Sequence, residues 1–471
     1  TGNPLFIDAD ANDATVNFSA GTTNIAFTIG FTGSIDLVDA SNGGTLNLNG
    51  TTFDTGNVGV LVNATVDTTT NPDVVTLVSV AKEANELAAD IDVTESQAAS
   101  FIAAAATVTA ANDPTARAAL DTVILSGDAQ TQTAAIQLTP DLEAIDSSKE
   151  IATASRMNFD NISTRLAAVR TGRSYTDRGL VGRTGIAAGN GIPNDKIWVR
   201  GFGQVVDQEN QEGLTGYSAE AYGFTVGYDT PIGVDSRVGL AFGYTDTEVD
   251  GEGQGENVSE IDSYQLSLYA DYTPGNYYLE GMVGYSFNDG HTMSTIDFAG
   301  LARQLSGDYT SDQYSTAFEM GYAVPFSDTS RLVPFAGLQY YFVGGQTIKL
   351  EDGTAFNQNV AVEDLNMLLG SFGARYEFEI ISETGTFSPK FNAGVLYDFV
   401  GDDSEASSTY TTSGLAYDIE GADVEKVSFV FGTGLTFITD DGLTEWTMAY
   451  DSEFKEDYIA HTGVVKASFK F

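Results

Sequence analysis

From Ile197 onward apolar residues recur at every second position, and this period restricts what the segment can become more than any other feature of the chain. Tyr264, Leu266, Leu268, Ala270 and Tyr272 alternate with Gln265, Ser267, Tyr269 and Asp271. The pattern repeats in Val238-Leu240-Phe242-Tyr244, in Leu279-Gly281-Val283-Tyr285-Phe287 and in Thr316-Phe318-Met320-Tyr322-Val324. It returns in Phe372-Ala374-Tyr376-Phe378-Ile380, Phe391-Ala393-Val395-Tyr397 and Val427-Phe429-Phe431-Thr433-Leu435-Phe437. Trp446-Met448-Tyr450 and Val465-Ala467-Phe469-Phe471 close the series. A side-chain period of two puts each set on one face of a strand. The opposite faces carry Glu280, Glu319, Arg375, Glu377, Lys390, Asp398, Lys426, Glu445, Asp451, Lys466 and Lys470.

A soluble sandwich also alternates, so three further features decide. The strands run to about ten residues or more, the length of a tilted membrane crossing, whereas sandwich strands are mostly shorter. Aromatics gather toward the ends of the apolar faces, as interfacial girdles do. Short connections (229–236, 274–276, 327–330, 382–386, 439–442) take turns with long ones (207–216, 246–261, 289–311, 345–361, 401–422), and a brief one near Glu456-Asp457 comes last. The expectation is an all-β membrane protein, a 12-stranded antiparallel transmembrane β-barrel over 197–471 with turns on one rim and surface loops on the other.

Upstream the composition changes three times. Over 1–80, short β-prone bursts such as Asn24–Ile29 and Val58–Val62 lie between Gly and Asn breaks, as in a β-solenoid-like fragment or a small sandwich. Over 81–138 Ala, Leu, Gln and Glu predominate, which predicts a small helical region of several short helices. Thr94 with Gln97 forms a capping box, and Asp113 precedes a proline suited to a first helical position. Over 139–171 Ile151, Phe159, Ile162, Leu166 and Val169 recur at three- and four-residue steps, predicting one long helix that ends at Gly172. Residues 172–196 are a Gly-rich linker.

The formal net charge of −45 argues against a nucleic-acid partner, because phosphate binding needs clustered Lys and Arg. Cysteine is absent, which removes disulfides, thiolate metal sites and cysteine nucleophiles. The most apolar stretch, Phe101–Ala111, is too short and alanine-rich for a spanning helix, which needs roughly 20 residues. The chain opens at Thr1 without initiator Met or signal peptide, as a processed or trimmed sequence would. Of 21 Lys and Arg residues, nine lie between Lys149 and Arg200. A helix bearing Arg156, Arg165 and Arg170 suits a barrel lumen lined by Glu280, Glu319, Glu377, Glu445 and Asp451, where charges attract in reduced dielectric. An ordinary exposed helix with scattered positive charge is the alternative.

The ending Val465-Lys466-Ala467-Ser468-Phe469-Lys470-Phe471 resembles the terminal strand of outer-membrane proteins, in which Val465, Phe469 and Phe471 would form the signal read by the barrel-assembly machinery. Ile197-Trp198-Val199-Arg200-Gly201-Phe202-Gly203 resembles the first strand of autotransporter (type Va secretion) translocator domains. So does the helix ending Phe159-Asp160-Asn161-Ile162-Ser163-Thr164-Arg165-Leu166-Ala167-Ala168-Val169-Arg170. The resemblance covers about 110–471, and it implies a central α-helix threading the barrel lumen. Some members cut their passenger within this helix, at an Asn-Asn pair whose first side chain attacks its own backbone carbonyl. The corresponding point here is Asp160-Asn161, and an ionised carboxylate cyclises poorly, so the passenger is expected to stay attached.

His291 falls in an expected surface loop and His461 at a strand start, with no Ser-His-Asp set. Gly251–Gly255 lacks the lysine of a phosphate loop, and Asp246–Gly251 lacks the bidentate Glu and flanking helices of a calcium loop. No catalytic residue, metal or cofactor is expected. The function expected is non-enzymatic export and anchoring of the chain's own N-terminal passenger at the bacterial cell surface. A channel or porin is the alternative, as is a surface adhesin or surface-layer protein held by the barrel. The partners implied are outer-membrane lipid, lipopolysaccharide and the barrel-assembly machinery, with a monomeric barrel and no ligand assigned to the passenger.

Overall fold

The computed structural model describes residues 7–8, 15–17, 22–24, 33–39, 45–48, 52–54, 59–70, 74–126, 128–141, 147–177, 197–211, 214–253, 255, 257–401, 403–421, 425–440 and 444–469. No described helix is long and apolar enough to cross a membrane.

The N-terminal strands are β1 (Ile7–Asp8), β2 (Thr15–Asn17), β3 (Thr22–Asn24), β4 (Gly33–Asp39), β5 (Thr45–Asn47), β6 (Thr52–Asp54), β7 (Val62–Asp67) and β8 (Val74–Ala81). β1 pairs with β4, β2 with β5 and β3 with β6, each in parallel and each with the third strand further along the chain. A constant offset of three strands is the register of a coil with three strands per turn. The antiparallel pairs β4–β8 and β7–β8 break that register.

Four helices follow: α1 (Ala84–Ile91), α2 (Glu95–Ala111), α3 (Pro114–Ser126) and α4 (Asp128–Leu138). Thr94 Oγ1 accepts from the Gln97 amide at 3.2 Å while Gln97 Oε1 accepts from the Thr94 amide at 3.0 Å. Asp113 Oδ1 accepts from the amides of Thr115 and Ala116, satisfying donors that a helix start leaves orphaned. The long helix α5 spans Ser148–Asp177 rather than starting at Thr139 and stopping at Gly172. Pro140 cannot continue α4, and a single helical glycine costs only about 1 kcal/mol, too little to end a packed helix at Gly172.

The barrel strands are β9 (Ile197–Gln208), β10 (Tyr217–Ile232), β11 (Ser236–Gly251), β12 (Asn257–Tyr272), β13 (Tyr277–Phe298), β14 (Leu301–Tyr322), β16 (Ser330–Val343), β19 (Leu365–Phe378), β21 (Gly385–Asp398), β24 (Val427–Thr439), β25 (Thr444–Lys455) and β26 (Tyr458–Phe469). Short strands β15 (Val324–Ser327) and β20 (Ile380–Ser382) edge two turns. Neighbours in sequence pair antiparallel, and β26 returns to β9 with Gly463 opposite Gly203, so twelve strands close with no free edge. Leu268 and Met448 are 58% and 60% exposed on the outer wall, while Gln265, Asp271 and Glu280 are buried facing inward. Closure thus inverts the usual order, with greasy residues outside and polar ones within. Phe224, Tyr244, Tyr264 and Phe287 stand side by side across four strands as one aromatic girdle. Tyr277 and Tyr322, 4.5 Å apart between ring centroids, mark the other.

Four of the expected surface loops are largely strand. β13 and β14 continue past the girdle and meet in a two-residue turn at Ala299-Gly300, with φ of 50° and 79°, so 289–311 is a hairpin. β11 and β12 likewise stay paired to Gly251 and Asn257. His291 therefore sits in mid-strand, Nδ1 2.6 Å from Asp308 Oδ1, instead of in a solvated loop. The connections 345–361 and 401–422 supply β17 (Gln346–Leu350), β18 (Gln358–Val362), β22 (Glu405–Tyr410) and β23 (Ala416–Glu420), a separate antiparallel sheet in the order β17-β18-β22-β23. Apolar side chains in these loops were too few per segment to stand out in the sequence; their partners lie hundreds of residues away. Phe101, Leu120 and Leu138 of the helices share one buried core with Phe298 and Leu305 of the hairpin and with Ile348, Val360 and Tyr410 of this sheet.

Candidate functional site: the occupied lumen

α5 lies inside the barrel because its apolar stripe finds apolar lumen. Ile151, Phe159, Ile162 and Leu166 are at most 1% exposed, packed among Trp198, Tyr269, Met282 and Tyr341. The Phe159 and Tyr341 rings are 6.3 Å apart. The polar positions of the same helix are matched individually. Ser155 Oγ donates to Gln313 Oε1 at 2.7 Å, Thr225 Oγ1 donates to Asn158 Oδ1 at 2.7 Å, and Asn161 Nδ2 donates to Thr225 Oγ1 at 3.0 Å. Gly243 makes this approach feasible: a Cβ there would lie 2.1 Å from Asn158 Oδ1.

Three arginines fix the helix along its length. Arg156 Nη2 is 2.6 Å from Glu453 Oε2. Arg165 Nε is 3.0 Å from Asp229 Oδ2, and the other oxygen of that carboxylate binds Arg237. Tyr269 OH donates to Asp229 Oδ2 at 3.2 Å and itself accepts from Trp198 Nε1 at 2.9 Å. Arg170 Nη1 reaches Asp271 Oδ1 at 2.6 Å and Glu280 Oε2 at 2.8 Å, with its guanidinium 4.0 Å over the Tyr278 ring. Glu280 also accepts from Ser163 of the helix. Removing one partner of such a buried pair typically costs about 3–5 kcal/mol, since the other charge stays buried alone.

The helix is off-centre. Its backbone packs against β10–β14 and β16, and on its other side a cavity of about 220 Å³ remains, lined among others by Asp160, Glu319, Arg375, Lys390, Asn392 and Asp451. The arrangement holds a helix in a pore.

A family model described as the autotransporter β-domain matches residues 197–450. The chain belongs to the autotransporter family. Its barrel is an outer-membrane translocator domain. This autotransporter is 24% identical over 323 residues to outer membrane protein A of Rickettsia conorii, covering 66% of this chain and 16% of that protein. Over 74 residues it is 34% identical to an extracellular serine protease of Serratia marcescens, covering 16% of this chain and 7% of that protein. The chain thus spans 16% and 7% of the lengths of these two relatives. The translocator domain of autotransporter NalP from Neisseria meningitidis aligns over 67% of this chain and 98% of its own, with 18% identity and a TM-score of 0.45.

The charges named from the autotransporter's sequence divide into two groups. Glu280 takes a helix arginine. The others are held by the wall or its neighbours: Glu319 by Arg375 at 2.8 Å, Glu377 by Arg331, Glu445 by Lys466 at 2.7 Å, and Asp451 by Asn392 at 3.0 Å. The helix's remaining acceptors, Asp229, Asp271 and Glu453, were not singled out. Asp271 already stood on the polar parity of its strand; Asp229 was read as the start of a turn, although its strand runs on to Ile232. Asp160 and Asn161 both line the cavity, Asn161 being 2% exposed and hydrogen-bonded to Thr225. Val465 is exposed on the outer wall; the side chain of Phe469 and all of Phe471 lie outside the described residues. Among the described residues no group of three or more His, Asp and Glu is placed to hold a metal. His461 Nδ1 meets Tyr450 OH at 2.7 Å and Ser452 Oγ at 3.1 Å.

Proposed function

We propose that this autotransporter exports its own residues N-terminal to α5, keeps them attached at the cell surface, and ends with α5 closing the pore without catalysing a reaction. The observation that carries the reading is the helix itself. A pore meant for diffusion gains nothing from buried ion pairs at Arg156, Arg165 and Arg170, whereas an anchor needs them. Arg156 meets Glu453 near the end of β25 toward the extended hairpins, and Arg170 meets Asp271 and Glu280 beside the 273–276 turn. The chain therefore enters the helix from the long-connection side, where the helical module lies. Asp160-Asn161 is the nearest match to the family's cyclising Asn-Asn pair, and an ionised carboxylate cyclises poorly, so the passenger stays on the helix. Lipid and lipopolysaccharide contact the outer wall, and the barrel-assembly machinery reads Val465, Phe469 and Phe471 in a monomeric barrel.

The test is display of an epitope placed among residues 7–67 on intact cells. Deleting Val465–Phe471, which removes the end of β26, is expected to abolish it. In planar bilayers the intact protein should be nearly closed, and deletion of Ile151–Arg170 should open it. Undiminished display without the end of β26, or an open pore with the helix present, would refute the proposal.

A further inference from the structure

The two longest barrel connections, the end of the β13–β14 hairpin and the helices α1–α4 build one domain between them. Leu138 closes α4, and its carbonyl is one of the acceptors that a helix end leaves unpaired. Here that oxygen accepts from Ser100 Oγ at 2.9 Å, from Gln358 Nε2 at 3.2 Å and from Tyr410 OH at 3.3 Å. Gln358 Oε1 in turn accepts from Ser408 Oγ at 2.7 Å and Tyr417 OH at 2.6 Å. These groups are at most 6% exposed, so without the sheet the Leu138 carbonyl would lose two of its three donors and the apolar residues around it would face water. The sheet has the converse need, since Ile348, Phe356 and Val360 are fully covered and share their core with Phe101, Leu120 and Leu138. Neither half is complete alone.

The halves are also separated by the membrane until export. β17, β18, β22 and β23 project from the rim toward which β13 and β14 extend, while α1–α4 precede the lumen helix and reach that side only by crossing the pore. From this we infer that the loop sheet of the barrel is the folding template for the exported helices. Their docking converts the emerged segment into a module too wide to slip back, and so gives export its direction. α4 lies nearest the pore in sequence and touches both the sheet and β13, so it docks first. α3, α2 and α1 then add to it, and the backbone bond Val60 N to Ile124 O at 3.2 Å joins the upstream segment to the finished bundle.

The inference rests on the export reading and separates from it in one experiment. The full chain, with an epitope among residues 7–67, is compared with Gln358→Ala/Tyr410→Ala, which alters only the loop sheet, and with Phe101→Asp, which alters only a helix. Heat-modifiable gel mobility reports on the barrel in each. In both variants we expect an intact barrel, cleavage of 84–138 by protease added to whole cells, and a fall in displayed epitope of at least fivefold. Helices that stay protected in both variants would show that they fold without the template and would overturn the inference. Normal display with digested helices would overturn it equally, by leaving docking without effect on export. Absence of display from the unaltered chain would instead refute the export reading.

Discussion

Arg165 in the lumen helix and Asp229 on the barrel wall form a two-nitrogen contact, Nε at 3.0 Å and Nη2 at 3.3 Å, at a carboxylate with no exposure to solvent. Arg237 binds the same group from its own wall. Asp229 is thus an anion shared between plug and pore. Asp229→Ala should destabilise the seated helix by about 3–5 kcal/mol, because two buried guanidiniums lose their counter-charge. The expected readout is frequent opening in planar bilayers with the barrel still heat-modifiable. A variant as closed as the parent would show that the apolar stripe alone seats the helix.

Gly243 lets Asn158 approach the wall, and no side chain fits between them. Gly243→Val should push the helix outward, at an overpacking cost of about 1–3 kcal/mol. Conductance should rise, as expected also for Asp229→Ala, and a disulfide engineered between helix and β11 should form more slowly than in the parent. Unchanged cross-linking would contradict the close fit.

Tyr417 in the surface sheet is buried, and burial pushes its hydroxyl up to about 12; burial also drives Tyr410 upward. A phenol whose folded value exceeds its unfolded value of about 10 adds stability that is complete below that pH and disappears as pH climbs to the folded value. The surface module should therefore loosen between about pH 10 and 12, seen as rising protease sensitivity of 84–138, while the barrel holds. Tyr417→Phe removes the donor to Gln358, costing about 1 kcal/mol at neutral pH, and should flatten part of the alkaline transition. An alkaline profile identical to the parent's would dissociate Tyr417 from it.

Glu220, Glu248 and Glu260 lie directly opposite one another across three strands beyond the girdle. Like charges in that relation repel, so Glu248→Gln should stabilise the extended hairpins by about 0.5 kcal/mol at low salt. The gain should shrink as screening shortens to about 3 Å at 1 M salt. Amide exchange in 245–251 is the measurement, and faster exchange in the variant would disprove the repulsion.

The twelve strands, their lipid and lumen faces and the apolar stripe of the lumen helix were all readable from the chain, because each depends on a local repeat. Leu266 and Leu268 share a face whatever they pair with, since successive strand residues must point to opposite sides. The same parity put Glu280 inside. It could not say that Arg170 and not Arg375 would take it, because partner choice depends on strand stagger and on where the helix leans. For that reason neither Asp271 nor Glu453 could be matched to its helix arginine, while Asp229 stood at the start of an expected turn. The surface sheet was missed more completely: Gln358, Tyr410 and Leu138 meet only after the barrel has closed and a distant helix has docked. Sequence alone therefore determined the wall and its orientation, through periodicity. Tertiary structure decided which charges pair and that the longest loops are a platform, because contacts between residues hundreds of positions apart leave no repeat to read.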